Sequence, residues 1–309
     1  MRLYRTFASL PVRRAGQTRA VAIGVFDGFH IGHQAIIERA RLAAERERGS
    51  SLVFTFEPTP KEFFSPATAP PRLTSFRERF ERLATSGIDE LLCPRFAAVR
   101  GIPSIEFVDA LLVAKLGARH VVVGDDFRFG AERGGTIDEL RARGRAHGFA
   151  VTEVPPVYFA GERVSSTAIR RALQGGDLQT ARGMLGRDYS ISGRVVRGLG
   201  LGRKLGFPTA NVNLKRIQAP IDGIFAARVT GVGAQPLDGV ASVGTRPTIG
   251  GGRALLEVLI FDFNGDLYGR YITVHFVQRL REERHFADLT AMQRQMHVDV
   301  AAARAALTD

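Results

Sequence analysis

Cysteine occurs once in the 309-residue chain, at Cys93. No intrachain disulfide can form, and a reducing, cytoplasmic setting is expected. No apolar run approaches the roughly 18 uninterrupted residues that a membrane-spanning helix needs. Lysine is scarce as well. Lys61, Lys115, Lys204 and Lys215 are the four present, so arginine supplies nearly all of a formal net charge of +12. Arginine forks suit phosphate in nucleotides and nucleic acids alike. These arginines are spread along the chain instead of clustered, which argues against a nucleic-acid partner. Residues 1–20 hold five arginines and no acid, as transit peptides do. They lack an apolar signal core, and Pro11 interrupts any amphipathic helix, so no targeting segment is expected.

With 45% hydrophobic and 24% charged residues, the chain can bury real cores, and its length suits two domains. The first half alternates short apolar runs with helical periodicity. Strands are expected at 21–25, 51–56, 90–93 and 120–124, and helices at 33–48, 77–85 and 105–116. Such alternation indicates a parallel sheet covered on both faces. Near Gly186 the period changes to two, with strands expected at 189–196, 223–229, 239–243, 254–263 and 271–277. Turn residues separate them, including the hairpin-type pair Asn264-Gly265. Short strands with glycine-rich turns suggest a small antiparallel barrel. A helix over 287–306 closes the chain, and its stripe of Leu289, Met292, Met296 and Val300 is expected to pack.

The segment VAIGVFDGFHIGHQAII sets Gly24, Phe26, Asp27, Gly28, His30, Gly32 and His33 between a strand and a helix. Ligands of open parallel sheets sit beyond the carboxyl ends of the strands. A helix start there offers N–H groups to phosphate. Two histidines can donate hydrogen bonds to phosphoryl oxygens as charge builds in an in-line displacement. Ser165, Ser166 and Thr167 precede a helical stretch that carries Arg170. They read equally as a helix cap or as a grip on a triphosphate. In HVVVGDDFRFG, Asp125, Asp126, Phe127 and Arg128 follow a strand and fall at the same edge. Phe56 and Pro58 follow another, where aromatic rings suit a flat heteroaromatic ligand or simply core packing.

Residues 197–211, RGLGLGRKLGFPTAN, fit neither the P-loop pattern nor the dinucleotide fingerprint, because Arg203 precedes Lys204 and leucine follows it. What remains is a glycine-rich loop with Gly198, Gly200, Gly202, Arg203, Lys204, Gly206 and Pro208. It is either a plain turn or a phosphate wrap. Thr209 and Asn211 can supply oxygens to Mg²⁺.

The motifs GVFDGFHIGHQ, GDDFRFG and VSSTAIR, in this order, resemble the adenylyltransferase half of the bacterial bifunctional riboflavin kinase/FAD synthetase family. GFPTAN, GIFAARV, SVGTRPTIGGG and LLEVLIFDFNGDLYG resemble its kinase half. The resemblance implies a Rossmann-like nucleotidylyltransferase domain at 1–186 and a kinase barrel with a closing helix at 187–309. It implies phosphorylation of riboflavin to FMN, then adenylylation of FMN to FAD with release of pyrophosphate. Catalysis would fall to Glu257 as base, His30 and His33. ATP would be held by Gly24, Phe26, Asp27, Gly32, Ser165, Ser166, Thr167 and Arg170 in the first domain and by the glycine loop in the second. Phe56, Pro58, Asp125, Asp126, Phe127 and Arg128 would meet the flavin, and Thr209 and Asn211 would hold Mg²⁺, the one expected cofactor. The expected partners are riboflavin, FMN and ATP, with neither nucleic acid nor membrane, and weak self-association stays open. The family often has histidine where Leu259 stands and asparagine where Ser242 stands, which bears on substrate affinity.

Overall fold

The computed structural model describes residues 1–11, 16–198, 202, 205–216, 218–245 and 254–308. The chain divides into two compact units. One comprises Met1–Pro70 with Phe76–Val164, and the other Pro71–Ser75 with Ser165–Asp309.

The first unit is built on a six-stranded parallel sheet in the order β1-β4-β3-β2-β5-β6. Its strands are β1 (Arg2–Tyr4), β2 (Arg19–Ile23), β3 (Ser50–Phe54), β4 (Glu90–Leu92), β5 (Ala118–Gly124) and β6 (Ala150–Val154). Strand alternation explains the near-continuous apolar sequence. Val21, Ile23, Leu52, Phe54, Val121 and Val123 enter one core. Ala22, Val53 and Val122 enter the other. Helix α1 (Ile31–Arg46) lays Ile36, Ile37, Ala40, Ala43 and Ala44 inward. Short α2 (Pro60–Phe64) and α3 (Phe76–Thr85) come next. A turn of α4 (Ser104–Glu106) then runs on as a π-helix, Phe107–Leu116, and α5 (Ile137–His147) leads to β6. At the amino ends of the strands, buried Arg19 makes a two-pronged pair with Glu90 at 3.0 Å and donates to the Leu116 carbonyl. A hairpin of β7 (Tyr158–Phe159) and β8 (Glu162–Arg163) completes the unit. The sequence reading did not include β1, α5 or β6.

The second unit opens with α6 (Ser166–Gln174) and α7 (Leu178–Leu185), followed by a closed antiparallel barrel in the order β10-β13-β12-β11-β14-β9. Its strands are β9 (Ser190–Val196), β10 (Ala210–Asn213), β11 (Gly223–Thr230), β12 (Leu237–Thr245), β13 (Ala254–Ile260) and β14 (Tyr271–Arg281). Phe225 and Phe276 meet edge to face at 5.2 Å among the buried residues. Helix α8 (Leu289–Leu307) covers Ala226, Phe261 and their neighbours with Val300, Ala303 and Leu307. The segment 71–75 is bonded within this unit. Tyr189 donates to the Leu73 carbonyl at 3.2 Å, Arg216 to that of Arg72 at 3.3 Å, and Arg170 to that of Pro71 at 2.6 Å.

Three expectations change. Asn264-Gly265 does not close a hairpin, because β13 pairs with β10 and β12 while β14 pairs with β9 and β11. The P-T-A-N stretch, expected only as a loop, runs into β10, whose four residues are too few to show a period. Only Val300 of the expected α8 stripe packs on the barrel cluster. Leu289 is 59% exposed, and it lines a cavity with Met292 and Met296.

Candidate active sites

In the first unit, β2 ends at Ile23 and the chain turns sharply before α1. Phe26, Gly28 and Phe29 all take positive φ, at +54°, +83° and +45°. Phenylalanine pays a steric penalty in this region, and such residues gather at functional sites. Here buried Phe26 and Phe29 hold the turn from beneath, and its last residue, His30, becomes the N-cap of α1. Its Nδ1 accepts the His33 backbone N–H at 3.2 Å. Acceptance at Nδ1 puts the proton of the neutral ring on Nε2, which is thereby a donor. A Cβ on Gly32 would come within 3.2 Å of that Nδ1, so glycine leaves room for the capping ring. The two imidazoles stack at 3.6 Å, and Phe26 meets His33 edge-on at 5.2 Å. His30 and Asp27 are buried, while Gly24, Gly32 and His33 are half-buried.

Around the same strand ends, Asp125 pairs with Arg163 of β8 at 2.6 Å. Half-buried Phe127 stacks on Phe129 at 5.7 Å, and Asp126 and Arg128 are exposed. Pro58 is exposed. Half-buried Phe56 contacts Phe54 at 4.9 Å and Phe96 at 5.7 Å. Phe96 in turn meets Phe63 and Phe64 at 5.5 and 5.6 Å, and Phe64 stays 63% exposed. The sequence reading missed these last three rings. The Phe63-Phe64 doublet just after the Thr59-Pro60 helix start was the available signal.

The Ser165–Arg170 motif falls in the second unit. Ser165 caps α6, its side chain accepting from Ala168 N–H at 3.1 Å, which accounts for one hydroxyl as a cap. Ser166 and Thr167 open the helix. Arg170 directs Nε to Pro71 and Nη1 to the Ser166 carbonyl.

The barrel carries the second site. Asn211 of β10 lies directly opposite Glu257 of β13, and Glu257 lies opposite Ser242 of β12. Glu257 and Ser242 open on a cavity of about 900 Å³ that Thr209, Leu259, Glu283, Phe286 and Met292 also line. The two departures from the family pattern, Ser242 and Leu259, are therefore both on its wall. Ser242 donates to Glu283 at 3.2 Å. Burial pushes the Glu283 carboxyl above its ordinary range, assisted by the nearby charges of Asp222 and Glu257. Arg281 grips Asp299 of α8 through two bonds of 2.8 and 2.6 Å and ties the end of β14 to that helix.

Asn211 is buried beside Gly198. A Cβ on Gly198 would fall 2.4 Å from its Nδ2. Gly202 is half-buried beside Thr209, and Gly206 and Pro208 are exposed. Gly200, Arg203 and Lys204 lie outside the described residues. Among the described residues, no group of three His, Cys, Asp or Glu side chains could hold a metal. Neutral oxygens at Thr209 and Asn211 nevertheless fit Mg²⁺ arriving with a nucleotide, because Mg²⁺ accepts few protein ligands beside phosphate and water.

Residues 13–168 match the FAD synthetase family and residues 185–307 the riboflavin kinase family. The chain belongs to the bifunctional riboflavin kinase/FMN adenylyltransferase family. It is 47% identical over 285 residues to the member from Pseudomonas fluorescens, covering 92% of this chain and 91% of that one. To the member from Escherichia coli K12 it is 43% identical, with the same coverage. It also superposes on a crystal structure from Streptococcus pneumoniae described as a macrolide-efflux protein, with TM-score 0.82, 30% identity and 98% of each chain covered. No helix among the described residues here is long and apolar enough to cross a membrane.

Proposed function

We propose that the barrel unit phosphorylates riboflavin with Glu257 as the base, and that the parallel-sheet unit adenylylates the resulting FMN around His30 and His33. Riboflavin and ATP become FMN and ADP, and FMN with a second ATP becomes FAD and pyrophosphate. The observation that carries the kinase assignment is the cross-strand row of Asn211, Glu257 and Ser242, the last two of which line one large cavity. A primary hydroxyl is a poor nucleophile until a carboxylate accepts its proton, and Glu257 would be that carboxylate. Thr209 and Asn211 would hold Mg²⁺, which neutralises phosphate charge as the γ-phosphoryl moves. The apolar wall of Leu259, Phe286 and Met292 would take the flavin ring.

In the other unit, the His30 Nε2–H is a donor for a phosphoryl oxygen of ATP, and the α1 start adds a positive dipole end. His33, held by the stack, would share that charge. Gly24, Phe26, Asp27 and Gly32 shape the turn beneath the nucleotide. Phe56, Pro58, Asp125, Asp126, Phe127 and Arg128 surround the same strand ends and are assigned to FMN. Ser165, Ser166, Thr167 and Arg170 keep their assignment to ATP on motif resemblance alone. The functional division is drawn at 186, and both steps consume ATP, which suits a cytoplasmic enzyme.

The test is incubation with riboflavin and Mg-ATP followed by separation of the flavins. FMN should appear first and FAD second. Glu257→Gln keeps the shape of the side chain but cannot accept a proton, so FMN formation should fall by about 10²–10⁴-fold. FAD formation from supplied FMN should continue. A kinase rate within a few-fold of the parent would remove Glu257 from the mechanism.

A further inference from the structure

Helix α3 carries an arginine that the two proposed reactions do not use. Arg79 is 2% exposed. Its Nη1 donates to the Val25 carbonyl at 2.8 Å, and its Nη2 donates to the Phe56 carbonyl at 3.3 Å and pairs with Glu57 at 2.8 Å. Val25 opens the turn that leads to His30. Phe56 and Glu57 open the loop that reaches Pro58. One guanidinium therefore spans the carboxyl ends of β2 and β3. Thr55 donates to the same Val25 carbonyl at 3.2 Å, so that oxygen is held from two sides.

A cation this deeply buried is costly unless it is paired and hydrogen-bonded, and its partners are the Glu57 carboxylate and the backbone carbonyls of the two loops assigned to substrates. A planar fork can reach two chain segments at once, whereas a lysine offers a point charge. We propose that Arg79 is a positioning residue of the adenylyl transfer, setting the ATP turn at 25–30 in register with the flavin loop at 56–58. This rests on the assignment of those two segments to ATP and FMN. Buried and bonded to the two loops, Arg79 acts by holding the α-phosphate and the FMN phosphate in line. A misplacement of about 1 Å in such a geometry can cost about 10²-fold in rate.

The experiment measures KM and kcat for FAD formation from FMN and Mg-ATP, with riboflavin phosphorylation by the same full-length sample as the internal control. Arg79→Met should raise KM for both FMN and ATP by about tenfold and lower kcat by up to about 10²-fold, with the kinase step within twofold of the parent. Glu57→Gln should raise KM for FMN alone. The double variant should be no worse than Arg79→Met, because the pair acts as one device. Arg79→Lys should recover part of the loss. Loss of fold alone would lower the active fraction and leave both KM values unchanged. Unchanged KM values in Arg79→Met would overturn the proposal. If that variant is insoluble, Arg79→Lys and Glu57→Gln decide instead, and parental KM values for FMN in both would overturn it equally. His30→Ala is assayed alongside. If it leaves FAD formation intact, the site assignment fails; if it abolishes FAD formation while Arg79→Met and Arg79→Lys behave as the parent, only the role of Arg79 fails.

Discussion

The side chains proposed for the chemistry were read from the sequence one by one, because the proposed reactions restrict the residue type. His30 and His33 are the clearest case, and the structure adds that His30 also caps α1 and so has its donor nitrogen set. Replacing either histidine with alanine should slow FAD formation by about 10²-fold or more, with riboflavin phosphorylation nearly untouched. Equal loss of both activities in a folded variant would argue against the assignment. Glu283 was not legible, since its character comes from burial beside the cavity, which outweighs the opposing hydrogen bond from Ser242, 41 residues away. Its carboxyl is raised above the ordinary 4.5, so the folded protein holds this proton more tightly than the unfolded chain does. The associated stability is fully present below pH 4.5 and is lost as the pH rises through the folded value. Glu283→Gln mimics the protonated form. The thermal midpoint of the parent should therefore fall relative to that variant as pH rises from 4.5 towards neutrality, and the two should converge below it. A gap independent of pH would refute this reading.

Periodicity identified the long strands and α1, where burial on a fixed face imposes a repeat. It failed for β1, with three residues, and for β10, with four. Both are strands by virtue of their neighbours. β10 shows what such a short element can position, because it puts Asn211 opposite Glu257 with Gly198 close against the asparagine side chain. Gly198→Ala should displace that amide and raise KM for Mg-ATP in the kinase step by about tenfold or more. FAD formation from supplied FMN should stay within twofold. A kinase with parental KM would show that the loop can yield without moving Asn211. At α8, hydrophobic spacing was read as packing, but Leu289, Met292 and Met296 face a cavity, and Val300 lines it as well as packing on the barrel. An apolar wall for a flat ligand and an apolar seam against a barrel have the same periodicity.

The two halves obey different sequence grammars, and each has its own core. A fragment from Arg187 to Asp309 contains Thr209, Asn211 and Glu257 with the whole barrel, and should form FMN from riboflavin and Mg-ATP while forming no FAD. It lacks α6 and α7, and α7 packs against β14 of the barrel. Its thermal midpoint should therefore lie below that of a fragment that starts at Ser165. Flavin separation and calorimetry on the two fragments check both statements. A folded shorter fragment that makes FAD, or cannot make FMN, would overturn the division of labour. Equal midpoints would show that α6 and α7 add nothing to the stability of the barrel.

The order of parallel and antiparallel sheets, the H-x-G-H turn and the P-T-A-N motif were determined by the sequence alone. Each depends on a local period or on residue types that chemistry restricts. Tertiary structure alone decided the cross-strand row at Glu257, the aromatic group around Phe96 and the reach of Arg79 to Val25 and Glu57. These contacts join positions that are tens of residues apart. Their geometry follows from strand register and helix placement, and neither leaves a repeat in the chain.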